Sequence, residues 1–351
     1  MSSNPSDSFE SGNSTSIIPL SPEKLQELFY GFRITQAVYV AAQLGLADCL
    51  QNGAKSIEEL VTELNVNAKV FQQLMRLLIH LGIVTVDDNK QYHLTPVGSF
   101  LCSNTPHSRR GSVLSAAEYY PVWGNLLHSV RTGKGAFEQT FQMSYYEYLA
   151  QNAEANVNFN LWMKESNRDF LLPFLGHYDF SSFKHFVDIG GGSGMLTTAI
   201  LNRYPHLQAT IFDQAHVIKD AQQLLDSAGI TDRCQLISGD FFDSIPAGRD
   251  LYILSRVLLD WDDTHALAIL KNCRAAMEQS SKLLIIDHIL PRQNETLFQL
   301  SLSLELLVLF EHLTRTEDEF YELLAQAGLQ VSNLIKTESA FSFLEATTIN
   351  G

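Results

Sequence analysis

Cysteine is scarce in this chain. Among 351 residues there are four, Cys49, Cys102, Cys234 and Cys273, with no CxxC spacing. That argues against a zinc site and for a reducing, cytoplasmic setting. Positive charge is scarce too: 24 Lys and Arg stand against 39 Asp and Glu, a net charge of −15. An overall negative field opposes binding to nucleic acid phosphates and to anionic lipid. Long apolar runs are missing. The most apolar stretch, Leu297 to Phe310, is interrupted by Gln299, Ser301, Ser303 and Glu305, so no membrane span is expected. Residues 1–20 are Ser/Asn/Pro-rich without the apolar core of a signal peptide, and read as a disordered lead-in. There are no internal repeats. What remains is a globular composition, 45% hydrophobic and 18% charged, in a chain long enough for two cores.

Glycine is concentrated where it says most. Val187-Asp188-Ile189-Gly190-Gly191-Gly192-Ser193-Gly194 follows a strand-like approach, His185-Phe186-Val187, and precedes a helix-like run, Met195 to Asn202. A strand that runs into glycines and then a helix offers bare backbone N–H groups and a positive helix end to a ligand. Asp213, 23 residues beyond Gly190, ends a second strand-like run, Ala209 to Phe212. A doubly wound fold places a carboxylate there to hold two ribose hydroxyls. A dinucleotide fingerprint needs glycine at its sixth position, which here is Met195, so a nicotinamide oxidoreductase is disfavoured. The loop matches the E/DxGxGxG form of S-adenosylmethionine methyltransferases, with Asp188 ending the strand.

Before this loop the pattern is mainly helical. Ser21-Pro22-Glu23 is a helix start. The apolar run Phe29, Phe32, Ile34, Val38, Val40, Ala41, Leu44 predicts a helix buried on most sides. Ser56-Ile57-Glu58-Glu59 is a capping box, and Asn67 caps a further helix through His80, stopped by Gly82. Residues 83–86 and 91–94 around Asp87-Asp88-Asn89 read as a hairpin. The whole is an all-helical winged-helix module apart from that one hairpin. Its would-be recognition helix offers only Lys69 and Arg76 as fixed cations, among Val70, Phe71, Leu74, Leu77, Leu78 and Ile79. A DNA reader needs more contacts than that, so burial against a partner subunit is expected instead of DNA. From Pro106 to Leu175 the chain is helical and aromatic, suited to the wall of a pocket for a flat organic substrate. From Phe183 onward strands at 185–188, 209–213, 234–238, 250–255, 282–287 and a late pair near 329–348 alternate with helices. That means an α/β, doubly wound, mostly parallel Rossmann-like sheet. The expected divisions are 1–20, 21–105, 106–175 and 176–351.

With these motifs in order, the chain resembles the small-molecule O-methyltransferases of the plant caffeate/hydroxyindole type and their bacterial relatives, over roughly residues 21–346. The matching stretches are Phe186 to Gly194, Phe212-Asp213, Gly239-Asp240-Phe241-Phe242, Asp260-Trp261, Asn272-Cys273-Arg274 and Arg315-Thr316-Glu317. The resemblance implies that 21–105 is a homodimerisation module. It further implies that Asp188, Gly190 and Gly192 hold the methionine part of S-adenosyl-L-methionine. Asp213 takes the ribose, Asp240 and Phe241 flank the adenine, and Ser255 and Trp261 lie near the cofactor. Trp123, Phe159, Met163, Leu259 and Leu306 are the expected substrate wall, and no metal is expected.

The chain departs from the family at the catalytic base. Where the family writes His-Asp-Trp, this chain has Leu259-Asp260-Trp261, and the orienting Glu of Glu-Arg-Thr is Thr314. A second supporting glutamate is Asp287. A general base is worth about 10²–10⁴ in rate, whereas positioning supplies roughly 7–11 kcal/mol. Methyl transfer by proximity to a small phenolic metabolite is therefore expected, with Asp287, His288 and His312 as candidate substitute groups. Transfer to nitrogen or carbon, or a cofactor turned to hydroxylation or rearrangement, stays open at this point.

Overall fold

Ser21 accepts a hydrogen bond from the Lys24 backbone N–H at 3.2 Å, and Pro22 enters the first turn, so the first helix begins where capping chemistry favours it. The computed structural model describes residues 21–349, without Ala340 and without the side chain of Asp220. The expected lead-in, 1–20, lies outside the described residues. α1 (Pro22–Gln43), α2 (Leu46–Gln51), α3 (Ile57–Leu64) and α4 (Ala68–His80) precede a hairpin of β1 (Val84–Val86) and β2 (Tyr92–Leu94). The Ser56/Glu59 box and the Asn67 cap both form. Asp87 Oδ1 accepts from the Asn89 and Gln91 backbone N–H groups, each at 2.9 Å, and closes the hairpin turn. The hairpin makes the module winged and not all-helical. Met75, Leu78, Leu60 and Leu46 form its core.

α1 differs from expectation. Only Ala37, Ala41 and Ala42 are buried, while Phe29 is 69% exposed and Leu25, Leu28, Phe32 and Ile34 are exposed with it. The inward face is made of alanines, so the large side chains point away from this chain's own body.

Six helices follow: α5 (Arg110–Leu114), α6 (Ala116–Trp123), α7 (Leu126–Thr132), α8 (Ala136–Phe141), α9 (Tyr145–Gln151) and α10 (Ala153–Ser166). α5 docks on α10 through buried Glu165, whose carboxylate accepts from Gly111 N–H (2.8 Å), Ser112 N–H (2.9 Å) and Ser112 O–H (2.7 Å). A Cβ on Gly111 would lie 2.6 Å from the Trp162 backbone nitrogen, so only glycine allows this approach.

The rest is one seven-stranded sheet: β3 (His185–Ile189), β4 (Gln208–Asp213), β5 (Cys234–Ser238), β6 (Leu251–Ser255), β7 (Lys282–His288), β8 (Leu329–Lys336) and β9 (Phe341–Thr348). Between them run α11 (Met195–Arg203), α12 (Ile218–Ala228), α13 (Asp263–Ala276), α14 (Leu297–Phe310) and α15 (Glu317–Gln326). The spatial order is β5-β4-β3-β6-β7-β9-β8. All neighbours are parallel except β9, which runs antiparallel to both β7 and β8. Central strands are buried on both faces and read as continuous apolar runs, as Leu283 to Ile286 does. Strand order reverses at β3, flanked by β4 and β6, and a crevice opens at the carboxyl ends there.

Candidate active site

The chain leaves β3 through three glycines in the left-handed region: Gly190 (φ 68°), Gly192 (φ 58°) and Gly194 (φ 77°). Each of the three is set differently. A Cβ on Gly190 would stand 2.9 Å from Val257 Cγ2, and one on Gly194 would stand 2.9 Å from Ile211 Cδ1. Gly192 has nothing within 4 Å, so its bare face opens on the crevice. Its N–H donates to Asp213 Oδ2 at 2.9 Å, and Gln214 N–H donates to Asp213 Oδ1 at 2.7 Å. The carboxylate ending β4 is thereby fixed beside the loop with acceptor capacity to spare. A glycine cradle facing open space, a helix N-terminus and an anchored carboxylate suit the donors and hydroxyls of a nucleoside-linked amino acid.

Asp188 is fully buried and turned inward. Its Oδ2 accepts from Thr197 Oγ1 at 2.7 Å, tying β3 to α11 beneath the loop. Burial pushes its carboxyl up to about 7. Asp240 is exposed, and its Oδ1 accepts from Phe242 N–H at 2.8 Å, shaping the turn after β5. Phe241 and Phe242 are half-buried against Trp261, with ring centroids 6.1 and 4.7 Å away. The Asn272 amide donates to the carbonyls of Phe241 (2.9 Å) and Phe242 (2.8 Å). Ser255 is half-buried at the end of β6, on the same rim.

Leu259 lies half-buried in the turn 258–260. Arg315 clamps that turn: Nη1 donates to Leu258 O (2.7 Å), Nη2 to Trp261 O (2.6 Å) and Nε to Asp263 Oδ1 (2.8 Å). Asp260 accepts from Tyr146 Oη at 3.1 Å, and burial pushes its carboxyl up to about 7. Asp287 is fully buried. One oxygen accepts from His288 N–H at 2.7 Å and the other has no hydrogen-bond partner. Its carboxyl is likewise pushed up to about 7, by burial and by the Asp260 charge against the pull of Arg315 and Arg256. His288 stacks on Phe341 at 4.2 Å, next to Asp287. His312 is not part of that pair. It faces Asp262 and Arg315, and burial lowers its pKa. Thr314 is buried, its N–H bonded to Ser303 Oγ and its hydroxyl unpaired.

The expected substrate wall is an aromatic cluster. Phe137 packs against Phe141 (4.7 Å), Tyr145 (5.0 Å) and Tyr148 (5.6 Å), and Phe159 lies 5.7 Å from Tyr145. Trp123 and Phe159 border it partly buried, and Leu306 is buried on α14. Met163 is drawn to the strand ends, its sulfur 4.0 Å from Arg256 Nη1.

Sequence reading missed Arg256. It sits one residue past β6 at φ 56°, with Nη2 donating to Asn167 Oδ1 at 2.6 Å and Nε unpaired. It is the counter-charge to Asp260 and Asp287. A non-glycine residue in the left-handed region leaves no mark in sequence. Tyr146 and Asp260, 114 residues apart, were equally invisible as a pair.

Two family models match: the O-methyltransferase domain over residues 123–330 and the O-methyltransferase dimerisation domain over 26–104. The chain is 39% identical over 338 residues to the phenazine O-methyltransferase PhzM of Lysobacter antibioticus, covering 96% of this chain and 99% of that protein. It is 33% identical to the 3-amino-4-hydroxybenzoate 4-O-methyltransferase of Streptomyces cremeus, over 89% and 86% of the two chains. The crystal structure of LaPhzM superposes with a TM-score of 0.87 at 39% identity, over 93% and 99% of the chains. The O-methyltransferase NcsB1, solved with S-adenosylmethionine and 2-hydroxy-5-methyl naphthoic acid, superposes with a TM-score of 0.78 at 30% identity, over 90% and 96%.

Proposed function

Because this chain belongs to the S-adenosylmethionine-dependent O-methyltransferases, we propose that it methylates a hydroxyl of a small, flat aromatic metabolite, as a homodimer. The observation that carries the reading is Gly192, whose bare face opens on the crevice beside the anchored Asp213. The cofactor, when bound, supplies a methyl group activated on a sulfonium centre. Gly190 and Gly192 hold its amino-acid part, and Asp213 takes the ribose hydroxyls. Phe241 and Trp261 wall the base, Asp240 caps the turn that carries Phe241, and Ser255 closes the rim. Asp188 acts from below, holding β3 to α11.

The substrate lies between the aromatic segment 106–175 and α14, against Trp123, Phe159, Met163, Leu259 and Leu306. Segment 106–175 links the dimerisation module, 21–105, to the cofactor module, 176–351. Leu259 has no proton affinity to offer. A phenol with a pKa of about 10 releases its proton to water within the catalytic cycle, and orientation carries the rate. Of the substitute groups, Asp287 has the support of a free oxygen and a carboxyl near 7. His288 orients it through the backbone, and His312 stands apart.

The test is transfer of labelled methyl to naphthols, hydroxyphenazines and hydroxybenzoates. A labelled ether with one S-adenosylhomocysteine per ether is expected. In calorimetry, Asp213→Ala should weaken cofactor binding by at least tenfold, since a charged hydrogen bond is worth about 1.5–3 kcal/mol. Absence of any labelled product, or unchanged affinity in the variant, refutes the assignment.

A further inference from the structure

Arg256 is a half-buried cation with no ion pair. Arg109, Arg110, Arg168, Arg292 and Arg315 each meet an aspartate carboxylate, whereas Arg256 meets none among the described residues. Asp260 and Asp287 act on it only through space, and each has another partner: the Tyr146 hydroxyl at 3.1 Å and the His288 N–H at 2.7 Å. Its own donors are poorly matched. Nη2 donates to the neutral amide oxygen of Asn167 at 2.6 Å, Nη1 rests on the Met163 thioether at 4.0 Å, and Nε is buried with no acceptor. A thioether is a weak acceptor, and a part-buried charge left without a counter-ion is destabilising. The backbone adds to the cost, because Arg256 is held at φ 56°, where an L side chain is strained. An uncharged residue would avoid the first cost and glycine the second.

The direction of the side chain narrows its role. Arg256 follows β6, which lies between β3 and β7. Its guanidinium carbon stands 5.8 Å from the Phe341 ring on β9, two strands beyond β6 and on the side away from β3 and Asp213. Asn167 separates it from the cofactor loop: the amide oxygen takes Arg256, and the amide nitrogen faces Met195 Sδ at 3.9 Å, next to Gly194. Met163, its other contact, belongs to the expected substrate wall. Arg315, the neighbouring cation, has its donors taken by the turn 258–261 and Asp263.

We propose that Arg256 receives a carboxylate borne on the aromatic substrate, so that the substrate is a hydroxylated aromatic acid. A carboxylate supplies the missing counter-charge, and its oxygens accept from the planar guanidinium while the ring lies flat in the aromatic wall. A site that leaves a cation unpaired when the acid group is absent discriminates against the analogue lacking it. This rests on the reading of the cleft as an aromatic-substrate site.

The test is equilibrium binding at neutral pH, independent of turnover. With the full chain saturated with S-adenosylhomocysteine, dissociation constants are measured for the positional hydroxynaphthoates, their neutral carboxamides and the parent naphthols. At least one hydroxynaphthoate should bind about tenfold or more tightly than both its carboxamide and its naphthol. That ratio should collapse to about one in Arg256→Met and fall partway in Arg256→Lys, which keeps a charge and loses the fork. S-adenosylhomocysteine affinity, unchanged in both variants, reports an intact fold. A ratio near one in the wild type, which needs no variant to fold, or a ratio that survives Arg256→Met overturns the assignment. So does a loss of S-adenosylhomocysteine affinity in Arg256→Met that 5′-methylthioadenosine, which lacks the carboxylate, does not share, because it places Arg256 on the cofactor. Failure of every naphthol, amide and acid to bind overturns the aromatic-substrate reading itself, a separate outcome from loss of the acid preference.

Discussion

Asp287 and Asp188 are carboxyls kept out of water. Each is pushed up to about 7 because burial penalises the anion. An unfolded aspartate loses its proton near pH 4, whereas these keep theirs until about pH 7. Between those limits the folded chain binds more protons than the unfolded one, so stability falls as pH rises from about 4 to 7 and then levels. Asp287→Asn removes one such group. Its unfolding free energy should drop less between pH 5 and pH 8 than that of the wild type. The difference should be about 1 kcal/mol or more, since a tenfold change in proton affinity is worth about 1.4 kcal/mol. Urea titrations at the two pH values measure it, and an unchanged slope would show that Asp287 titrates normally.

Among elements, the turn 258–261 depends on a residue far along the chain. Arg315, at the mouth of α15, donates to two of its carbonyls and bonds Asp263 at the start of α13. Arg315→Met keeps the apolar stem but strands the carbonyls of Leu258 and Trp261. Two unpaired acceptors, partly rewetted, should cost about 2–4 kcal/mol in thermal unfolding. The KM for cofactor should rise as Trp261 loosens from Phe241 and Phe242. A melting temperature within a degree of wild type would mean the clamp is dispensable. This clamp also marks where the sequence stops being legible. The Ser56/Glu59 capping box, the hairpin, the glycine loop and the strands were readable because their causes lie within about ten residues. Leu259 and Thr314 were readable as departures from a motif. Tyr146 with Asp260, Arg256 with Asn167, and Arg315 with the turn depend on contacts across 54 to 114 residues. The inward turn of Asp188 depends on its bond to Thr197 on α11, a pairing that the sequence reading did not make.

At the scale of the molecule, α1 carries more apolar surface than one chain can cover. Leu25, Leu28, Phe29 and Phe32 stand exposed, within a matched dimerisation domain. An apolar face of this kind marks an interface. Phe29→Glu with Phe32→Glu puts two like charges into it, and sedimentation should show the monomer mass where the wild type shows twice that. A variant that sediments as wild type would exclude α1 from the contact. The expectation of a helix buried on most sides was wrong for the single chain, because apolar periodicity does not say which chain supplies the cover.

The sheet is closed out of order. β9 comes last in sequence yet lies inside, between β7 and β8. While the chain is made, β7 leaves the ribosome with residues 289–340 still to follow. At about 5–20 residues per second, its apolar edge waits roughly 3–10 s for its neighbour. A bare strand such as Leu283 to Ile286 invites pairing with other nascent chains. The newborn protein is therefore most exposed to aggregation just before its final strand arrives.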